Sequence, residues 1–114
     1  MRVVEKGWGH ELIWSDEDEY CGKDLVFKKG GRCSMHFHAK KTETWMVRSG
    51  AFEVRWIETK TAKIQTMSLM PGAIWHNPRF SPHQLVCLEE GTVSEVSTHD
   101  DPTDNYRVLP GDGQ

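Results

Sequence analysis

The chain has 114 residues, 37% apolar and 27% charged, with a formal net charge of −3. That is enough for one domain, residues 1–114, with a core of its own. The mild acidity argues against nucleic acid or an anionic membrane as a partner, and no apolar run approaches the roughly 20 residues of a membrane span.

Cys21, Cys33 and Cys87 make an odd count without a C-x-x-C pair. No basic segment leads into an apolar run at the start, so no secretory signal is read. Free thiols in a reduced, cytoplasmic setting are therefore expected.

In chain order, Gly7 and Gly9 bracket Trp8 within residues 1–14, which predicts a bend that tucks the indole against the body. Glu17-Asp18-Glu19 reads as an exposed acidic turn. Strands are predicted over 24–29, 33–38, 42–48, 51–58 and 64–70. Of these, 51–58 alternates most cleanly, with Phe52, Val54 and Trp56 set against Glu53 and Arg55. Lys28-Lys29 and Lys40-Lys41 read as solvated strand ends. Residues 73–75 are short and apolar, and 77–82 is no central strand because two prolines lack ladder donors. The last two strands are predicted at 83–88 and 92–98, before a polar, partly ordered tail. Eight or nine short strands with frequent turn signals, and no helix, predict an all-β sandwich or barrel with its core at about 24–98.

His36 and His38 stand two apart, so on a strand they point the same way, and Glu43 can face them from the next strand. Two imidazoles and a carboxylate suit one divalent transition metal, whether zinc, iron, manganese, nickel or copper, better than calcium or magnesium.

Gly30 to Gly50 reads G-x5-H-x-H-x4-E-x6-G without a departure. It resembles the first motif of the cupin superfamily, small double-stranded β-helix (jelly-roll) barrels. The second cupin motif, G-x5-P-x-G-x2-H-x3-N, is matched at Gly72, Pro78 and His83, with Phe80 in place of its second glycine and Cys87 in place of the asparagine. A second resemblance covers the ends. Trp8-Gly9 with its neighbours, Glu95-Val96 and Asp104-Asn105-Tyr106-Arg107 are similar to the cupin domain of type II mannose-6-phosphate isomerases, with Lys6-Gly7 where that family has Arg-Pro. The nucleotidyltransferase part of the bifunctional members is absent, so no guanylyltransferase activity is carried over.

The resemblance implies a jelly-roll barrel with short N- and C-terminal extensions, and His83 as fourth ligand beside His36, His38 and Glu43. His76 competes for that place. If Glu43 faces inward, so do Trp45 and Val47; if His83 does, so do Leu85 and Cys87, which puts a thiol near the metal. Trp45 and Trp75 are expected as pocket walls for a sugar, and Arg79, in the loop before His83, as a phosphate contact. His10 and His99 are read as surface residues. The implied function is a metal-dependent sugar or sugar-phosphate isomerase or epimerase, with His76 and Glu53 as candidate acid/base groups. The alternatives are a dioxygenase or lyase on the same ligand set, or a non-catalytic small-molecule or sugar-binding barrel. A homodimer is expected, with the N-terminal segment covering a neighbour's sheet.

Overall fold

A computed structural model of the protein describes residues 1–112. Among the described residues there is no helix. Eleven strands follow one another: β1 (Arg2–Lys6), β2 (Gly9–Asp16), β3 (Cys21–Phe27), β4 (Met35–Phe37), β5 (Glu43–Val47), β6 (Ala51–Glu58), β7 (Lys63–Leu69), β8 (Ile74–Asn77), β9 (His83–Glu89), β10 (Gly91–Ser97) and β11 (Tyr106–Leu109). They build a six-stranded sheet in the order β1-β2-β3-β10-β5-β8 and a five-stranded sheet in the order β11-β4-β9-β6-β7. Every pairing is antiparallel, and consecutive strands repeatedly change sheet, as in a jelly roll.

Alternation explains which face each strand buries. On β6, Phe52 and Val54 are fully buried, while Glu53 and Arg55 point outward and pair with each other at 2.8 Å. Trp8 is 3% exposed and stacks on Phe27 with ring centroids 4.1 Å apart. Phe27 in turn meets Phe52 edge-on at 5.4 Å. Trp8 and Phe27 also line the cavity between the sheets, beside polar side chains.

The bend at Gly7 and Gly9 forms and tucks Trp8 into the core, and its arms, β1 and β2, make a hairpin that pairs with β3 and extends the chain's own sheet from Arg2. Two expectations change. The tail is ordered through 109, because β11 pairs with β4. Asp104, 5% exposed, accepts the backbone N–H groups of Ala39, Lys40 and Lys41 at 2.8, 3.0 and 3.0 Å. Such a carboxylate tie outweighs the polarity that marked the segment as loose. Lys41 is no solvated strand end either: it is 6% exposed and ion-paired.

Two positions of the cupin-like motifs show their backbone reason. Gly50 sits at φ +83°, and a Cβ there would stand 2.5 Å from the carbonyl oxygen of Glu90, so only glycine fits. Phe80 occupies the place of the second motif's second glycine and takes a left-handed backbone, φ +63°. Its N–H donates to the carbonyl of His38 at 2.8 Å, tying the loop that carries His83 to the end of β4.

Candidate metal centre

β4 supplies His36 and His38 from one strand, β5 opens with Glu43, and β9 opens with His83. His36 and His83 are cross-strand partners, which sets their side chains beside each other on one face. Ligand nitrogens of His36, His38 and His83 all lie within 4.8 Å of one another. Glu43, 4% exposed, adjoins this set: its Oε1 is 2.7 Å from His83 Nε2 and 3.7 Å from His38 Nε2.

The hydrogen bonds decide which nitrogen each ring presents. Nδ1 of His36 lies 2.8 Å from the carbonyl of Ser34, that of His38 2.6 Å from the carbonyl of Asp104, and that of His83 2.8 Å from the carbonyl of Ser81. A carbonyl only accepts, so each Nδ1 donates to its carbonyl and each Nε2 is the nitrogen turned toward the cluster. Burial first, then the neighbouring His83, pushes His36 down to about 3, and burial lowers His38 as well, so both rings are neutral near pH 7. His83 Nε2 is buried without an aligned hydrogen-bond partner although a carboxylate oxygen stands 2.7 Å away. Three imidazole nitrogens converging beside a carboxylate make a donor set that a shared cation satisfies. The residues therefore fit a divalent transition metal, with backbone carbonyls orienting every imidazole from behind.

A buried ionic layer backs the ligands. Glu95, 3% exposed, faces inward from β10; its Oε1 accepts from Trp45 Nε1 at 3.3 Å, and its Oε2 lies 3.0 Å from Lys41 Nζ and 3.8 Å from Lys23 Nζ. Asp100 joins both lysines, at 3.1 Å to Lys41 and 3.3 Å to Lys23, and Glu11 meets Lys23 at 3.3 Å. Burial works against the charge of each lysine, but Glu95 and its neighbours raise both above the usual lysine value. Burial and the adjacent Glu43 raise the Glu95 carboxyl to about 7. Burial would raise Glu43 too, but the His83 contact holds it well below the usual carboxylate range. These groups line a cavity of about 580 Å³ that opens between the sheets past β1 and the 100–107 segment.

The linkage has a definite sign. His36 and His38, held below their ordinary 6.5, contribute stability that is lost as pH falls below that value. Glu95, held above its ordinary 4.5, contributes stability gained as pH falls from about 7 to 4.5. Below that, Glu43, Asp100 and Asp104, all lowered, add their losses to those of the histidines. The metal-free protein is thus expected to decline gently between pH 7 and 4.5 and steeply below, with the buried His36 and Glu43 contributing most and Asp100 and Asp104 less. Urea titrations at a series of pH values check this; a decline as steep above pH 5 as below it contradicts it.

The structure brings His36, His38, His83 and Glu43 together and puts Trp45 on the cavity wall. It does not bring the other candidates there. His76, the partner of Thr44, lies on the outer face 3.2 Å from the Thr44 hydroxyl, because its neighbours Trp75 and Asn77 take the inward positions. Glu53 is outward on β6, paired with Arg55. Trp75 packs on Trp56, with centroids 4.9 Å apart, and donates to Asn77, away from the cavity. Arg79 is an exposed clamp on the carbonyl of Lys40 at 2.7 Å. Cys87 does face inward, but four residues along β9 from His83 it lies in the apolar core opposite Phe52; the thiol on the cavity wall is that of Cys33. His10 and His99 lie outside the site, and His99 is 3.1 Å from Asp16. Lys23, Lys41, Glu95 and Asp100 were missed. Strand parity could have found two of them, since Lys23 alternates with Cys21, Leu25 and Phe27, and Glu95 with Val93, at positions an ordinary core gives to apolar side chains.

Comparison with solved structures places the fold. CapF, the capsular polysaccharide assembling protein of Staphylococcus aureus, matches with a TM-score of 0.81 and 18% identity over 95% of this chain and 32% of its own. KdgF from Halomonas sp. matches with a TM-score of 0.72 and 21% identity over 82% of this chain and 81% of its own. A variant of Bacillus subtilis oxalate decarboxylase OxdC matches with a TM-score of 0.79 and 17% identity over 94% of this chain and 30% of its own. The chain thus spans about a third of CapF and of OxdC. No protein-family model and no curated protein matches the sequence. Two antiparallel sheets, a three-histidine cluster at one end of the barrel and these neighbours define the class: the chain has the cupin fold.

Proposed function

We propose that the chain is a metal-binding cupin that transfers protons on a small, oxygen-rich substrate, in the manner of a sugar or sugar-phosphate isomerase or epimerase. The observation that carries this reading is the common tautomer of the three histidines, each with Nδ1 held by a backbone carbonyl and Nε2 turned to the same point. His36, His38 and His83 would hold the ion, with Glu43 as the carboxylate ligand. A metal bound there supplies Lewis acidity toward a carbonyl or hydroxyl oxygen. The chain's own residues supply the rest. Glu95 Oε2 lies buried against Lys41 and Lys23 on the cavity wall and takes a proton from the substrate carbon, then returns it. Lys41 and Lys23 hold that carboxylate in place, and Trp45 fixes its other oxygen through the indole N–H. His76 and Glu53, both outward, have no part in it.

The test is solvent exchange. Metal-loaded protein in deuterium oxide with a panel of aldoses, ketoses and their phosphates is expected to place deuterium beside the carbonyl, read by NMR, and Glu95→Gln is expected to lose this while keeping the metal. Oxygen consumption without exchange would select the dioxygenase alternative. Metal uptake without either reaction would select a binding protein.

We also propose a homodimer in the cytoplasm. The outer face of the six-stranded sheet leaves Trp14, Val96 and Ile74 at 53%, 58% and 67% exposure, which is ample apolar surface for a second copy. Light scattering at the mass of a single chain would reject it.

A further inference from the structure

We propose that Arg2, Lys6 and Arg107 form an anion-binding rim on the cavity, so that its ligand is a small oxygen-rich molecule carrying a carboxylate or phosphate head group. This rests on the metal-site reading and adds the substrate's charge to it.

Strand geometry places all three. Arg2, Val4 and Lys6 alternate along β1 and all line the cavity, so the first strand presents two cations to it across one apolar residue. Arg107 is the cross-strand partner of His36, which sets its side chain on the same face as that ligand. The cations therefore approach from two different sheets.

Their charge is not consumed by the cavity's acids. Lys23 and Lys41 already meet Glu11, Glu95 and Asp100 at 3.0 to 3.3 Å. Arg2 touches only Asp100, at 3.8 Å and in competition with both lysines. Among the described residues, Lys6 and Arg107 have no carboxylate within 4.0 Å. Over the whole lining, five Lys and Arg side chains balance five Asp and Glu side chains. A divalent ion leaves two positive charges over, in a partly enclosed space where charges are poorly screened. An anion restores neutrality, and guanidinium and ammonium donors suit carboxylate and phosphate oxygens. The apolar part of the wall, including Trp8 and Trp45, accepts the C–H face of such a molecule.

The test is calorimetric titration of zinc-loaded protein with D-gluconate, glucose 6-phosphate and neutral sorbitol, with zinc content measured on the same sample. One or both anions are expected to bind about tenfold or more tightly than sorbitol, with the advantage shrinking as salt is added. Which anion wins distinguishes a carboxylate from a phosphate head group. The double variant Lys6→Gln/Arg107→Gln is expected to remove the preference while keeping its zinc and its melting temperature, since neither side chain is buried. Binding of all three probes alike, or of none, overturns the inference while leaving the metal site standing. A preference that survives in the double variant also overturns it. Protein that takes up no zinc sinks the metal-site reading instead, and with it the charge excess that depends on the ion.

Discussion

The Lys41→Met variant, freed of metal with a chelator, is expected to lose about 3 kcal/mol of stability at pH 8. The loss comes from the charge left behind, since Glu95 is buried at 3% exposure and its Oε2 lies 3.0 Å from the ammonium that would be removed. The other lysine, at 3.8 Å, compensates only in part. Glu95 already holds its proton to about pH 7 through burial and the neighbouring Glu43. Without Lys41 it is neutral over a wider range, so the deficit should shrink on going to pH 5.5. Adding Glu95→Gln removes the orphaned charge and is expected to recover most of the loss, the non-additivity that a buried pair gives in a double-mutant cycle. Denaturant unfolding of the two single variants and the double variant measures this. Equal losses at both pH values, with simple additivity, would show that the pair carries no such coupling.

His83→Ala should reduce metal content from about one ion per chain to background, measured by elemental analysis after exposure to excess zinc and desalting. His83 sits at 1% exposure with Nδ1 fixed by Ser81 and Nε2 facing Glu43, so nothing nearby can move in to replace it. His36→Gln, whose side chain is less enclosed, is the companion variant and should behave alike. His76→Ala should retain the full metal content, because its imidazole is on the outer face. Unchanged metal in both His83→Ala and His36→Gln would discard the three-histidine site.

Most of the candidate site was legible because it is local. His36, His38 and Glu43 fall within eight positions, and period-two alternation turns them toward one another without knowledge of the fold. His83 needed the second, imperfect motif, whose missing glycine proves to be Phe80 in the same left-handed backbone that glycine would take. The ionic layer was hidden because its members, at positions 11, 23, 41, 95 and 100, meet only after the strands have interleaved. Gly7 and Gly9 signal the N-terminal bend that buries Trp8, but do not reveal that its two arms pair as strands. The tail was underestimated because composition does not reveal that one carboxylate, Asp104, meets three backbone N–H groups more than sixty residues away.

That clasp makes the end of β4 depend on a residue that is synthesised much later. His38 takes its tautomer from the carbonyl of Asp104, sixty-six residues downstream, and the turn from Ala39 to Lys41 is shaped by the same residue's carboxylate. A nascent chain on the ribosome can hold His36 and His38 long before Asp104 emerges. Until then the carbonyl that orients the second imidazole is missing. A chain cut between β10 and Asp104 would keep His36, His38, Glu43 and His83 yet lack the partner that fixes His38.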